Sequence, residues 1–165
     1  MIGGIIMIRR QLRRIKYISK FLLRPIKMFF GNFNFRRNIL YTFYFNKYKL
    51  NSNSVLLEAA HGNKIGGNPY AVFKAMIKDE KYRKYKFIWV MNDDIDIFLQ
   101  EEFKKYKNVI FVKRDTIRYC RYLATSKYLI NDTTFPLYFR KKEGQIYVNT
   151  WHGTPIKTLG KDVKG

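Results

Sequence analysis

The sequence contains few cysteines, few histidines and no long apolar run, and each of these absences excludes a class of protein. Cys120 is the single cysteine in 165 residues, which excludes a disulfide scaffold and a zinc site made of cysteines. His61 and His152 are the only histidines, too few for a histidine-rich metal site. No apolar run approaches the roughly 18 residues that cross a membrane as a helix. With 47% apolar and 18% aromatic residues, the chain can still bury a core, so disorder throughout is excluded.

Acidic residues are also scarce, and none occurs near the start of the chain. The sequence has 33 Lys and Arg against 12 Asp and Glu, a net charge of +21. Residues 1–49 contain twelve basic residues, and the first acidic residue is Glu58. A protein this basic is expected to meet an anionic partner: a nucleic acid, a lipid surface or a polyanionic substrate. The charge distribution predicts a basic arm, residues 1–49, joined to a less basic body, residues 50–165.

The arm is predicted to contain a basic amphipathic helix. Apolar side chains at positions 8, 12, 15, 18 and 22 share one side of a helical wheel, and seven basic residues lie mostly opposite. This pattern favours an anionic membrane surface, although packing on the body or contact with nucleic acid are alternatives. Pro25 is expected to end or kink the helix. The residues predicted to contact the membrane are Ile8, Arg9, Arg10, Leu12, Arg13, Arg14, Ile15 and Leu22.

The body alternates between predicted strands and helices. Short apolar runs predict strands at residues 55–59, 85–91, 109–112, 128–130 and 146–149. Helices are expected from the cap Asn68 to Asp79, over 95–106, and after a cap at Asp115. The polar run 51–54 is expected to be a loop that opens the body. Strands this continuously apolar are typical of a parallel sheet covered on both faces, which predicts a Rossmann-like α/β domain.

Both histidines fall where a parallel sheet binds ligands, at the carboxyl ends of its strands. Residues 61–68 follow the first predicted strand, 131–136 the fourth and 150–155 the fifth. His61 and His152 are each followed by glycine, which lets the backbone approach a ligand. Each histidine could equally be a structural residue in an ordinary turn. The sequence has no dinucleotide-binding GxGxxG, no Walker A loop and no obvious metal triad, so no cofactor is expected.

Four segments of the body together resemble one enzyme family. The segment QIYVNTWHGTPIKTLGKD (145–162) closely resembles the signature of the CDP-glycerol glycerophosphotransferases, which make teichoic acids and related polymers of the bacterial wall and capsule. Supporting matches are EAAHGNKIGGNP (58–69), YKFIWVMND (85–93) and YLINDTTFPLY (128–138). The resemblance covers about residues 54–165, and the arm resembles the membrane-associating part of the family more loosely. Many members carry an aromatic residue where this chain has Ala60.

The resemblance implies a fold of the GT-B glycosyltransferase type, with two Rossmann-like domains facing a cleft. The donor nucleotide would be held mainly by a C-terminal domain beyond residue 165. We therefore expect this chain to be an N-terminal, acceptor-side fragment that is inactive alone. The implied partners are CDP-glycerol or a related CDP-polyol, a polyol-phosphate or lipid-linked acceptor, and an anionic membrane surface. The implied location is the cytoplasmic face of the bacterial membrane, as a peripheral protein.

The implied reaction passes glycerol phosphate to an acceptor hydroxyl and releases CMP. Such a reaction needs a base for the hydroxyl proton and donors for the phosphate oxygens. His152 is the first candidate for the base and His61 the second. The candidates for substrate binding are Gly62, Asn131, Asp132, Gly153, Thr154 and Lys157. A non-catalytic basic module that binds membranes or nucleic acid is the alternative, but no nucleic-acid-binding motif is recognisable, and nucleic acid is not expected as a partner.

Overall fold

The structure is a computed structural model that describes residues 2–92, 101–103 and 105–151, with side chains from residue 11 onward except residue 12. The helices are α1 (Ile2–Gly31), α2 (Phe33–Lys47), α3 (Gly67–Lys78) and α4 (Ile117–Thr125). The strands are β1 (Asn51–Glu58), β2 (Lys86–Met91), β3 (Val109–Lys113), β4 (Ser126–Asn131) and β5 (Ile146–Asn149). Short 3₁₀ turns occupy Ala60–Gly62 and Glu80–Tyr82. The predicted helix over 95–106 lies largely outside the described residues; within it, 101–103 are helical.

The five strands form one sheet in the order β3-β2-β1-β4-β5, and every neighbouring pair is parallel. The central strand β1 aligns Glu58 with Val90 of β2 and with Asn131 of β4. Asn131 in turn aligns with Asn149 of β5. The predicted Rossmann-like α/β fold with a parallel sheet is therefore confirmed, and β5 has the bounds that its apolar run predicts.

The core lies on both faces of the sheet because alternate strand residues point to opposite sides. On one face, Leu56 and its neighbours pack against α4 and the C-terminal part of α2, where Tyr41 is fully buried. On the other face, Leu57 and Trp89 pack against Phe73 of α3. Helices thus cover both faces, which explains why the strands are apolar along their whole buried length.

The loop predicted for the polar run 51–54 is wrong, and of the two expectations for Pro25, an end or a kink, the structure excludes the end. The polar run 51–54 is the first half of β1 rather than a loop, because Asn51 aligns with Ser126 of β4 and the buried hydroxyls of Ser54 and Ser126 share a hydrogen bond of 2.9 Å. Pro25 does not end its helix, since α1 continues to Gly31. An exposed proline costs the helix one backbone hydrogen bond, and water can satisfy the carbonyl that is left.

Two predicted helix caps also lie one or two residues away from the observed ones. Gly66 rather than Asn68 caps α3, and the Asn68 side chain is used elsewhere. Thr116 rather than Asp115 caps α4, because its hydroxyl accepts the Tyr119 backbone N–H. Asp115 adopts a φ of 66°, outside the usual range for a cap.

The chain divides into two compact units, Met1–Ile39 and Leu40–Gly165, and the predicted division into an arm and a body stays a prediction. In the first unit, Ile15 is 63% and Leu22 is 64% exposed. Across the described residues, no helix combines the length and the apolar character needed to cross a bilayer. In the second unit, the Tyr41 hydroxyl donates to the Arg140 carbonyl over 2.6 Å, so α2 ends as part of the core.

Candidate functional site

The candidate site lies at the carboxyl edge of the sheet, where β1, β4 and β5 end side by side. His61 follows β1, Asp132 follows β4, and Thr150 follows β5. The parallel register sets the ends of these strands level, since Glu58, Asn131 and Asn149 align in a row. Loops that leave one sheet edge in this way surround a common space, which is where α/β proteins bind their ligands.

The loop after β1 begins with a left-handed turn. Ala60, His61 and Gly62 have φ angles of 47°, 56° and 83°. The left-handed region suits glycine but costs other residues about 1–3 kcal/mol each, so two residues in this turn are strained. Gly62 is the one glycine among the three, and a Cβ there would lie in van der Waals contact, at 3.4 Å, with the backbone of Met91 and Asn92, so the φ angle rather than space favours glycine.

Hydrogen bonds from neighbouring segments hold this turn in place. The Asp132 carboxylate accepts the Ala60 backbone N–H at 2.8 Å. The Asn92 backbone N–H donates to the Gly62 carbonyl at 2.7 Å, and the Asn92 side-chain amide donates to Oδ1 of Asn63 at 2.6 Å. Asp132 extends from β4 and Asn92 follows β2, so both strands that flank β1 fix the same turn.

An open cleft of about 450 Å³ lies beside the turn, lined by Ala60, His61, Asn63, Lys64, Asp132 and Thr133. His61 and Lys64 are exposed there, whereas Asp132 is 3% exposed. An imidazole titrates near neutrality and can take a proton from a hydroxyl, and an ammonium group can neutralise a phosphate oxygen. The cleft therefore offers the two kinds of group that phosphoryl transfer needs.

Asn131, a candidate for substrate binding, is fully buried within the sheet edge. Its Oδ1 accepts the Tyr147 hydroxyl at 3.0 Å, and its carbonyl accepts the Thr150 N–H at 2.7 Å. Its side-chain nitrogen and the Thr133 hydroxyl are buried without a hydrogen-bond partner among the described residues. Asn131 thus joins β4 to β5 and leaves one buried donor near the cleft.

Asn68 has a role that its sequence position did not indicate. Its side-chain amide donates to the carbonyls of Thr150 and Trp151, at 3.1 and 3.0 Å. The Trp151 N–H in turn donates to Oδ1 of Asn149 at 2.8 Å, and Trp151 has a φ of 54°. The start of α3 therefore fixes the segment that precedes His152. The Asn-Pro pair marked the helix start but not this contact.

Several predicted site residues lie outside the described residues: His152, Gly153, Thr154 and Lys157. The meeting of His61 and His152 in one cleft therefore stays a prediction. In the membrane-binding set, Arg13, Arg14, Ile15 and Leu22 are exposed on α1, while the side chains of Ile8, Arg9, Arg10 and Leu12 are not described.

A buried ion pair lies at the same sheet edge, and sequence analysis missed it. Glu58 is fully buried, and its carboxylate accepts from Arg114 Nε at 3.3 Å and from the Tyr119 hydroxyl at 2.9 Å. Burial raises the pKa of Glu58, although the nearby Arg114 charge opposes that rise. Burial, together with the Glu58 charge, raises the pKa of Tyr119 well above its ordinary value. The sequence did carry one signal for this ion pair: Glu58 is the single charged residue in the apolar run 55–59.

The described residues contain no group of three or more His, Cys, Asp or Glu side chains that could hold a metal ion. The polar side chains around His61 are instead an amide, an ammonium group, a hydroxyl and one carboxylate that accepts a backbone N–H. These side chains suit proton transfer and phosphate contact better than metal ligation, which needs several convergent ligands.

Comparisons with known proteins agree with this architecture. The sequence model of the CDP-glycerol:poly(glycerophosphate) glycerophosphotransferase family matches residues 39–165. A teichoic acid poly(glycerol phosphate) polymerase of Bacillus spizizenii is 29% identical over 114 residues, which are 68% of this chain and 27% of that protein. A teichoic acid glycerol-phosphate transferase of Staphylococcus aureus is 26% identical over 113 residues, again 68% of this chain and 27% of that protein.

A solved structure of the wall teichoic acid polymerase TagF with CDPG has the same fold, with a TM-score of 0.67 and 22% identity. The match covers 95% of this chain and 34% of that chain. This chain spans about a quarter of the length of the two curated relatives described above. Because the family match extends over most of the sequence, the chain belongs to the CDP-glycerol:poly(glycerophosphate) glycerophosphotransferase family.

Proposed function

We propose that this chain supplies the acceptor-side half of a glycerophosphotransferase active site. The observation that carries the proposal is His61, which is exposed beside the cleft on a turn that two neighbouring strands hold in place. The family of the chain supports the class of reaction. The donor would be CDP-glycerol or a related CDP-polyol, and the acceptor a membrane-linked teichoic acid or capsule polymer.

In the proposed reaction, the terminal hydroxyl of the acceptor attacks the phosphorus that carries glycerol. A new O–P bond forms, the bond from that phosphorus to the CMP oxygen breaks, and CMP leaves with the electron pair. The hydroxyl proton passes to a base, for which His152 and His61 are the candidates. Lys64 in the cleft and Lys157 would neutralise the phosphate oxygens, and the Thr154 hydroxyl would donate a hydrogen bond to them.

We also propose that α1 holds the chain on the cytoplasmic face of the membrane. Exposed Ile15 and Leu22 can enter the boundary of the acyl chains, while exposed Arg13 and Arg14 meet lipid phosphates. The absence of acidic residues over 1–49 removes repulsion from an anionic surface. Peripheral binding would bring the cleft to a lipid-linked acceptor.

The experiment that tests the transfer site is nuclear magnetic resonance of the full chain with labelled histidine rings. A His152→Gln variant assigns the two ring signals. CDP-glycerol and glycerol 3-phosphate are expected to shift the His61 signals, because both present a glycerol phosphate group to the cleft. CMP, which lacks that group, serves as the control and is expected to shift them less.

His61 signals that stay in place with every compound would contradict the proposal. If the chain then still bound anionic vesicles, the alternative of a non-catalytic membrane-binding module would be favoured. A cooperative thermal unfolding transition of the same sample shows that the sheet is folded, so that unmoved signals mean a failed transfer site rather than an unfolded chain.

A further inference from the structure

The Asp132 carboxyl group is buried between two loops of the sheet edge. Its Oδ1 accepts the Ala60 N–H at 2.8 Å, and the side chain is almost fully covered. Its Oδ2 faces Gly67, where an added Cβ would approach to 3.3 Å. Gly67 has a φ of 63° and is the first residue of α3. One carboxylate thus binds the beginning of the loop that carries His61 and lies beside its end.

The bond to Ala60 is placed at the first residue of the left-handed run. Ala60 and His61 adopt positive φ angles that alanine and histidine rarely adopt, so contacts outside the turn must hold them there. Asn92 fixes the far end of the turn through the Gly62 carbonyl. At the near end, the described contact from a neighbouring strand is the one from Asp132.

The partner that the structure gives to the Asp132 carboxylate is a backbone N–H rather than an imidazole. From the sequence, Asp132 was expected to have a direct role, as a candidate for substrate binding. A buried carboxylate that accepts a backbone N–H instead fixes the backbone conformation of the residue that donates it. Because Ala60 directly precedes His61, the backbone conformation at Ala60 determines the direction in which the exposed His61 side chain points.

We infer that Asp132 is a positioning residue for His61, and that it works by accepting the Ala60 N–H. The inference rests on the proposed role of His61 in transfer. Its acceptor oxygen is what matters, so a neutral side chain with the same oxygen can replace it. Asparagine keeps that oxygen in the same place, whereas alanine removes it.

Three single variants of the full chain test this inference: Asp132→Asn, Asp132→Ala and Asp79→Ala. Asp79 is the matched control, because its carboxylate also accepts a backbone N–H, that of Lys81 at 2.9 Å, but at the end of α3 away from the cleft. The measurements are the hydrogen-exchange rate of the Ala60 amide, the ring signals of His61 and the melting temperature. None of them needs a substrate, so a failed transfer assay leaves this test intact.

We expect Asp132→Ala to speed exchange of the Ala60 amide by at least about tenfold and to displace the His61 ring signals. Asp132→Asn should leave the exchange rate and the ring signals close to the wild-type values. Asp79→Ala should leave both unchanged. A residue that serves stability alone would lower the melting temperature and leave the His61 ring signals where they were.

Two results would overturn the inference. Displacement of the His61 signals by asparagine as far as by alanine would mean that the charge of Asp132 acts on the ring. Unmoved His61 signals in the alanine variant would mean that the turn does not depend on Asp132. If the alanine variant does not fold, Asp132→Ser decides, because its shorter side chain withdraws the acceptor oxygen from the Ala60 N–H: displaced His61 signals support the inference and unmoved ones refute it.

Discussion

Replacing Arg114 by methionine should destabilise the protein, because it leaves Glu58 buried without its charged partner. Glu58 is fully buried, while the Arg114 side chain is 19% exposed. Breaking a buried ion pair by removing one partner costs about 3–5 kcal/mol. We expect about 3 kcal/mol, the lower end of that range, because water can reach the space that Arg114 leaves. For a chain of this size, that loss lowers the melting temperature by roughly 6 to 12 °C.

The loss should also depend on pH, and its sign follows from the raised pKa of Glu58. Because the folded state binds this proton more tightly than the unfolded chain, stability falls as pH rises from the ordinary carboxyl range through the raised value. Removing the Arg114 charge raises the pKa of Glu58 further, so the variant should lose more stability at about pH 8 than at about pH 5. Urea unfolding at the two pH values measures the difference.

Glu58→Gln is the matched control. Glutamine keeps an acceptor for the Tyr119 hydroxyl, and Arg114 keeps its contact with Asp115 at 3.3 Å. We expect a loss of about 1 kcal/mol at about pH 5 that shrinks towards pH 8, because the variant lacks the carboxyl group whose raised pKa makes the wild type less stable as pH rises. The double variant should be more stable than Arg114→Met alone, because no unpaired charge is left inside. An Arg114→Met protein within about 0.5 kcal/mol of wild type, or a loss equal at both pH values, would refute this reasoning.

Three further predictions concern the arm and the frame of the site. A chain lacking residues 2–31 should lose co-sedimentation with anionic vesicles, and binding by the full chain should weaken with salt; equal binding by both chains would contradict the proposed role of α1. Gly62→Ala should cost about 1–2 kcal/mol in urea unfolding, since alanine is strained at a φ of 83°, and an unchanged midpoint would show that the turn can relax. Tyr41→Phe should cost about 1 kcal/mol in the same assay through its lost bond to Arg140, and a neutral result would mean that water replaces it.

The fold could be predicted because its strands are continuous apolar runs. Residues 146–149 were predicted as a strand and form β5, and the parallel sheet follows from helices covering both faces. The first half of β1 could not be predicted, since Asn51 and Ser54 are polar. Their extended conformation depends on Ser126, a partner 72 residues away from Ser54. A local pattern holds no information about such a partner.

For the candidate site, the sequence predicted which loops are neighbours but not the contacts between them. Parallel strands end at one edge, so the loops carrying His61 and Asp132 were expected to be neighbours. The left-handed turn at His61 was not predictable, because positive φ is uncommon in any residue other than glycine and Ala60 gives no signal for it. Asn68 reaches the Thr150 carbonyl over 82 residues, and Arg114 reaches Glu58 over 56 residues. These contacts depend on the folded sheet, and no spacing in the sequence indicates them.

The most direct test of the central proposal is CMP release from CDP-glycerol by this chain mixed with the donor-binding half of a family member. We predict little release by the chain alone, because a donor that meets one half of the cleft is not oriented, and positioning contributes roughly 7–11 kcal/mol. Release should appear in the mixture, and His61→Ala or His152→Ala should lower it by about 100-fold or more. Release by the chain alone at the rate of the mixture would contradict the half-site. Full activity with His61 replaced would contradict the role of the cleft.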